Sequence, residues 1–200
     1  MADPAEEVPA AVDDEEPEET PGYKAPAQKT LDEIKNLDAD DESLVKYKEQ
    51  LLGAAAAASA GDDGGPNVRV LKLTVLVEGR DDIELDLSGD LATLKDKPVT
   101  FKEGTSYRLK ITFKVVREIV AGLKFHQVLY RKGIRVVKNS LMVGSYGPKA
   151  EPHEYITPVD EAPKGMIARG HYTAKSKFLD DDKNVHLEWE WSFDIKKDWE

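Results

Sequence analysis

The chain has 200 residues, of which 40% are hydrophobic and 34% charged, a balance that predicts one globular core together with a non-globular segment. Its formal net charge is −11, and the acidic excess lies in the front third: residues 1–65 carry 18 acidic and 5 basic side chains, whereas residues 66–200 carry 21 and 23. This distribution disfavours nucleic acid as a partner, because phosphates would be repelled, and it is compatible with a basic protein. The absence of cysteine excludes disulfides, thiol catalysis and cysteine-based metal sites.

Residues 1–22 are predicted to be a disordered acidic tail. They contain nine acidic residues, four prolines and no bases, and such a segment buries too little apolar surface to offset its conformational entropy. They also lack the basic and apolar regions of a secretory signal. No run in the sequence approaches the roughly 18 apolar residues of a membrane span. We therefore expect a soluble cytoplasmic protein without stable membrane insertion.

Residues 23–53 are predicted to form two short amphipathic helices. The first begins with a capping box, in which the Thr30 hydroxyl accepts a backbone N–H and the Glu33 carboxylate reaches back to the N-cap. Apolar residues recur at helical spacing on both helices: Leu31, Ile34 and Leu37 on the first, and Leu44, Tyr47, Leu51 and Leu52 on the second. Each helix is shorter than the roughly 12–15 residues at which an isolated helix becomes marginal in water, so the pair needs a surface to pack on. That surface is either the chain's own β domain or a partner protein, and the low-complexity linker at 54–65 favours the partner.

Residues 66–200 are predicted to be an antiparallel β-sandwich. Tyr107–Val115 and Val185–Ile195 alternate strictly between apolar and polar side chains, as half-buried strands do. Further short strands are predicted between turn residues, including separate ones at Ile134–Lys138 and Leu141–Tyr146. Eight or nine strands with a turn about every ten residues are typical of a sandwich.

The sequence contains no convincing catalytic or metal motif. Gly144–Gly147 lacks the spacing of a nucleophile elbow, and the four histidines are scattered rather than paired for a metal. Asp180–Asp182 lacks the calcium-loop spacing, and no glycine-rich phosphate-binding loop is present. These observations predict a binding protein rather than an enzyme, without a cofactor or a metal.

One aromatic pattern remains to be explained. Trp189 and Trp191 point to the same face of the last predicted strand, and Tyr107 and Phe113 add further aromatic area to the same small sandwich. The pattern allows an ordinary aromatic core, and it also allows a cavity between the sheets that holds an apolar ligand.

Several long motifs together resemble the Rho GDP-dissociation inhibitor family, from residue 23 onward. They are YKAPAQKTLDEI from Tyr23, LDADDESLVKYKEQLLG from Leu37, LDLSGDL from Leu85, FKEGTSYRLKITFKV from Phe101, REIVAGLKF from Arg117, MVGSYGPKAEPHEYITPVDEAPKGMIARGHY from Met142, DDDK from Asp180 and HLEWEWSFDIKKDW from His186. The resemblance implies an all-β, immunoglobulin-like antiparallel β-sandwich preceded by a flexible N-terminal arm with a short helical hairpin. It implies a monomer that forms a 1:1 complex with prenylated Rho- or Rac-type GTPases in the GDP form. Such a protein slows GDP release and extracts the GTPase from membranes by taking its geranylgeranyl group between the sheets.

The resemblance also implies two sets of site residues. The positions implied to contact the GTPase are Thr30, Leu31, Ile34, Asp41, Ser43, Leu44 and Tyr47 in the arm and Asp182 in the β domain. The positions implied to line the prenyl pocket are Val75, Tyr107, Ile119, Leu141, Trp189 and Trp191. The chain departs from the family at Leu141, where relatives carry an aromatic residue, at His171, where they carry a small one, and in the linker at 54–65.

One other class of function stays open. An acidic-tailed β-sandwich could act as a chaperone for basic proteins such as histones. It would bind basic partners whether or not they carry a prenyl group, so binding to prenylated and unprenylated GTPase separates the two hypotheses.

Overall fold

The computed structural model describes residues 64–199. The predicted tail at 1–22, the predicted helical arm at 23–53 and nearly all of the linker lie outside the described residues. The domain boundaries therefore stay predictions.

The described chain contains ten β-strands and one short α-helix. In chain order they are β1 Val68–Val77, β2 Ile83–Asp86, α1 Thr93–Asp96, β3 Val99–Lys102, β4 Ser106–Val115, β5 Val120–Arg131, β6 Ile134–Tyr146, β7 His153–Ile156, β8 Asp160–Glu161, β9 Gly170–Leu179 and β10 Val185–Lys196.

The strands form two five-stranded sheets. The first sheet has the order β2–β1–β4–β7, with β8 also paired to β4, and the second has the order β3–β10–β9–β5–β6. All strand pairs are antiparallel except β3–β10, which is parallel. The predicted all-β, immunoglobulin-like sandwich is confirmed, and the parallel pair is a departure from its predicted antiparallel arrangement.

Alternating apolar residues place one face of β4 and one face of β10 in the core. On β4, Leu109, Ile111 and Phe113 are buried while Arg108 is exposed. The same period of two holds on β10, where the alternate residues Trp189, Trp191, Phe193 and Ile195 are all buried. Aromatic rings fill much of the space between the sheets.

Phe113 ties the two sheets together near one end of the sandwich. Its ring lies 5.0 Å from Tyr146 in an edge-on arrangement, 5.1 Å from Phe178 and 5.5 Å from His153. These three partners come from β6, β9 and β7, so one side chain joins four strands. Edge-on and offset ring pairs of this kind add stability beyond their buried area.

The predicted break at residues 139–140 is wrong, because β6 runs without interruption through Asn139 and Ser140. β6 is the edge strand of the second sheet, and most of its residues are exposed. Polar side chains there can point to solvent, so they do not end the strand as they would in a buried one.

A two-residue turn joins β5 to β6. Lys132 has φ 51° and Gly133 has φ 78°, the conformation of the mirror-image turns that match the twist of a hairpin. A further irregularity follows: Leu129 pairs with Val137 while Tyr130 pairs with Arg135, so Val136 is an extra residue in a β-bulge. We call the region of this turn the hairpin end of the sandwich.

Candidate functional site: a groove between the sheets

An apolar groove opens between the two sheets along the edge formed by β6 on one side and the β7–β8 segment on the other. Its larger chamber has a volume of about 380 Å³ and a smaller chamber beside it about 210 Å³. The two chambers share five lining residues: Tyr107, Leu109, Gln127, Asn139 and Asp160. We therefore treat them as one groove.

Aromatic side chains from β3, β9 and β10 form the inner wall of the larger chamber. The rings of Phe101 and Phe193 lie 5.3 Å apart, and those of Tyr172 and Phe193 are stacked at 5.1 Å. Trp191 joins this cluster at 5.4 Å from Phe193. Because each ring is held by another ring, the wall is preformed rather than assembled around a ligand.

The wall on the side of the first sheet is held by Tyr107. Its ring packs 4.8 Å from Phe101, and its hydroxyl donates a hydrogen bond to Asp160 at 3.1 Å. Burial, together with the Asp160 carboxylate, raises the pKa of Tyr107 well above its usual range. The phenol therefore stays neutral and keeps donating at any physiological pH.

The two chambers meet at a polar waist formed by Gln127 and Asn139. These residues are directly opposite one another on β5 and β6. Gln127 is buried, and its amide nitrogen donates to the Ser176 hydroxyl at 3.3 Å. An apolar groove with a few convergent polar groups suits a long apolar ligand that carries a small number of polar atoms.

An ion pair fixes the loop at the hairpin end of the groove. Arg169 donates two hydrogen bonds to the Glu103 carboxylate, at 2.7 and 2.9 Å, and the Gly165 N–H donates a third at 2.9 Å. The Arg169 guanidinium, and after it the Gly165 amide, lowers the pKa of Glu103 to about 2. The loop between β8 and β9 is thereby held against the strand that carries Phe101.

The structure brings three of the six predicted prenyl-pocket residues to the groove. Tyr107 lines both chambers, Trp191 lines the larger one and Leu141 the smaller one. The role of each in lipid binding stays a prediction.

The other three predicted prenyl-pocket residues lie elsewhere. Val75 is fully buried in the core. Trp189 is buried against Phe125, with the two rings stacked at 6.0 Å. Ile119 is 48% exposed and follows β4, at the opposite end of β5 from the hairpin turn.

Of the predicted GTPase contacts, only Asp182 lies within the described residues. It is exposed in the connection between β9 and β10. Its neighbour Asp180 is instead buried, and its carboxylate is hydrogen bonded to Asn184 and to His186 at 3.0 Å. The DDDK motif therefore combines a structural aspartate with an exposed one. The seven predicted arm residues are outside the described part of the chain.

Sequence reasoning did not single out several groove residues, including Phe101, Leu129, Gln127 and Asn139. Strand alternation indicates which face a residue occupies, but it does not indicate whether that face meets a neighbour or an opening. The sequence contained one indication for Gln127, because its parity on β5 matches that of the buried Phe125 and the partly buried Leu129. A buried amide among apolar neighbours marks a place where the core is not simply packed.

His171, the second departure from the family, lies outside the groove. It is exposed on β9, and its ring nitrogen is 2.8 Å from the Asp194 carboxylate on the adjacent strand. Within residues 64–199, no three histidine, aspartate or glutamate side chains are grouped so that they could hold a metal ion. No helix in this part of the chain is long and apolar enough to cross a membrane.

Comparison with known proteins gives the chain a family. A family model described as RHO protein GDP dissociation inhibitor matches residues 9–198. Rho GDP-dissociation inhibitor 1 of Homo sapiens is 54% identical over 190 residues, which cover 94% of this chain and 92% of the relative. Rho GDP-dissociation inhibitor 3 of Homo sapiens is 52% identical over 192 residues, or 96% and 84% of the two chains.

Among solved structures, a Niemann-Pick type C2 protein from Japanese carpenter ant aligns with a TM-score of 0.43 at 11% identity, over 68% of this chain and 98% of that chain. This likeness is too low to add to the fold assignment. The family model and the two relatives match nearly the whole chain, and on them the chain belongs to the Rho GDP-dissociation inhibitor family.

Proposed function

We propose that this protein binds prenylated Rho- and Rac-type GTPases in the GDP form, blocks GDP release, and extracts them from membranes by enclosing the geranylgeranyl group in the groove. The observation that carries the lipid part of the proposal is the aromatic-walled opening between the sheets. Its larger chamber, about 380 Å³, is of the size of ordinary ligand pockets, and the smaller chamber of about 210 Å³ extends it. We propose a cytoplasmic monomer that acts in a 1:1 complex and as a regulator, without catalytic residues of its own.

The free energy of the prenyl chain in the groove is similar to its free energy in a bilayer. Burial of a C20 chain at ~0.8 kcal/mol per CH2 gives on the order of 10 kcal/mol before the entropy of ordering the chain is subtracted. A bilayer offers the same chain a similar gain, so the groove alone would not extract the lipid completely. Contacts with the GTPase itself supply the difference in this proposal.

In this proposal those contacts come from the arm at residues 23–53 and from Asp182, the positions that the family resemblance implies. An arm that holds the switch segments and the Mg²⁺ site of the GTPase closed would slow nucleotide release by favouring one conformation, and this needs no bond to be made or broken. The acidic tail at 1–22 complements the polybasic segment that often precedes a prenylated cysteine.

One experiment tests both the binding of the prenyl group and the inhibition of GDP release. Geranylgeranylated and unprenylated Rho-GDP are each mixed with the full chain, and the captured GTPase and the rate of release of a fluorescent GDP are measured. We expect strong capture of the prenylated form and weaker capture of the unprenylated one. Equal capture would contradict the lipid role and favour a chaperone for basic proteins.

The arm is tested separately by Asp41→Ala. We expect this substitution to accelerate GDP release more than it weakens extraction from membranes. If neither quantity changes, the proposed role of the arm is wrong even if the groove binds lipid.

A further inference from the structure

Two connections meet at the hairpin end of the groove. One is the β5–β6 turn, and the other is the loop between β8 and β9. The Arg131 guanidinium, at the end of β5, donates a hydrogen bond to the Arg169 carbonyl at 2.6 Å, and it lies over the ring of Tyr172 at 5.4 Å. Val136 and Val137 on one side and Ala162 and Pro163 on the other line the same chamber. Both connections therefore flank the mouth of the groove.

Large apolar side chains project into solvent from these two connections. Ile134 is 70% exposed in the hairpin, and Met166 and Ile167 are 82% and 88% exposed in the loop. None of the three is needed to fill the core, since each is more exposed than buried. Grouped exposed apolar residues beside a ligand opening are typical of an interaction surface.

The same region is basic in a protein that is acidic overall. No acidic residue occurs between Glu118 and Glu151, a stretch that spans β5 and β6, although the whole chain has a net charge of −11. The six bases of this stretch are Lys124, Arg131, Lys132, Arg135, Lys138 and Lys149. Four of them lie at or near the hairpin turn, between residues 131 and 138.

The acidic groups near the mouth do not reverse this balance. Glu103 is paired with Arg169, and Glu161 is paired with Lys164 at 2.6 Å. Asp160 accepts a hydrogen bond from the Tyr107 hydroxyl. The two connections, together with Glu103, therefore carry six basic and three acidic side chains.

We propose that the hairpin end is a docking surface for an anionic lipid bilayer, with Ile134, Met166 and Ile167 placed among the lipid headgroups. We call these three residues the apolar tip. Lysines and arginines beside them then sit at the level of the phosphates, where each basic residue contributes attraction to acidic lipids. Exposed apolar side chains surrounded by cations are the usual pattern of a protein that lies on a membrane without crossing it.

This inference rests on the proposed function, because a docking surface at the hairpin end would bring the mouth of the groove to the bilayer that holds the prenyl chain. With the apolar tip on the bilayer, the mouth of the larger chamber faces the hydrocarbon that holds the prenyl chain. The chain can then pass from bilayer to groove without crossing water. The net charge of −13 on residues 1–65 opposes the same membrane, so the contact is expected to be weak and reversible, as a protein that must leave with its cargo requires.

A bilayer explains the composition of the surface better than a protein partner does. A protein interface places its apolar residues at the centre of a polar rim. Here the most exposed apolar residues stand at the projecting ends of two connections, one of them a tight two-residue turn, and the cations lie on either side of them. Projecting residues of this kind can enter a soft headgroup layer without a complementary pocket.

The test uses the full chain without any GTPase. Vesicles of pure phosphatidylcholine and vesicles with about 30% phosphatidylserine are sedimented with the protein at low and at physiological salt. We expect binding to the phosphatidylserine vesicles that weakens as salt is added, and little binding to phosphatidylcholine.

Matched variants locate the surface. The triple variant Ile134→Ser, Met166→Ser, Ile167→Ser is compared with Val185→Ser, which is 53% exposed at the opposite end of the sandwich. We expect the triple variant to lose at least about tenfold in vesicle binding, and the control to bind like the unchanged protein. Lys132→Asn and Lys138→Gln should each weaken binding about fivefold, whereas Lys114→Gln, near the far end of β4, should not.

A second readout separates this proposal from the proposed function. A soluble peptide with a geranylgeranylated cysteine should bind all of these variants equally, which shows that each is folded with an intact groove. Failure of the unchanged protein to bind this peptide overturns the lipid role of the groove, whatever the vesicles show. Absence of binding to phosphatidylserine vesicles, or equal binding by the triple variant and the control, overturns the docking surface alone. The docking surface is also overturned if the triple variant loses GTPase binding in vesicle-free solution but keeps vesicle binding.

Discussion

The groove hypothesis predicts that one bulky side chain at its lip blocks lipid binding without unfolding the protein. Val137 is on the edge strand β6, is 38% exposed, and lines the larger chamber opposite Leu129. Val137→Trp places an indole in that chamber. Substitutions at exposed edge positions usually change stability by no more than about 0.5 kcal/mol. If the indole displaces one isoprene unit of five carbons, the loss at ~0.8 kcal/mol per carbon is about 4 kcal/mol, or roughly a thousandfold in affinity.

The assay is a fluorescence titration with the geranylgeranylated cysteine peptide, combined with urea unfolding of the same preparation. Ser140→Trp is the matched control, because Ser140 is exposed on the same strand with the opposite parity and points away from the groove. We expect the control to bind normally. A folded Val137→Trp variant with unchanged affinity would refute the assignment of this groove as the lipid site.

Three further predictions concern stability. Glu103, whose pKa is lowered from 4.5 to about 2, stabilises the fold fully above its ordinary pKa and loses this effect as the pH falls toward 2. The urea midpoint of Glu103→Gln should therefore fall less between pH 5 and pH 2 than that of the unchanged protein, and parallel curves would contradict the ion pair's role. Burial, with Lys138 and Lys177 nearby, lowers the pKa of His126 below 6.5, so stability should decrease as the pH falls through and below 6.5. His126→Gln should show a smaller decrease between pH 7.5 and pH 5.5, and an equal decrease would assign the effect to other groups. Phe113→Ala should lower the free energy of unfolding by about 3–5 kcal/mol, whereas Ile156→Ala, at a 45% exposed position, should change it by about 0.5 kcal/mol or less; similar losses in both would argue against the ring cluster.

The sequence predicted the sandwich because apolar and polar residues alternate along its long strands β4 and β10. On β4 and β10 the pattern of apolar and polar residues indicates the inward face directly, so Trp189 and Trp191 were placed on the same side. The pattern does not indicate which of the inward-facing residues line the groove and which pack in the core. Trp191 lines the groove, while Trp189, two residues earlier, packs on Phe125 of the same sheet.

The edge strands were less predictable. β6 is exposed along most of its length, and its polar residues Asn139 and Ser140 led to the prediction of two separate strands. β3 is four residues long and pairs with a strand that follows it by more than 80 residues, so no local pattern indicated it. Its parallel pairing with β10 depends on the tertiary fold and not on a turn signal.

The position of β10 constrains when the protein can become active during synthesis. Of the strands described, β10 occurs last in the chain, yet it lies inside its sheet between β3 and β9. It supplies Trp191, Phe193 and Ile195 to the wall of the larger chamber. A nascent chain that lacks these residues has an open gap in the second sheet and no complete groove. If the groove binds lipid as proposed, binding should begin only after β10 has left the ribosome, and the long-range pairing of β3 with β10 should be a late step in folding.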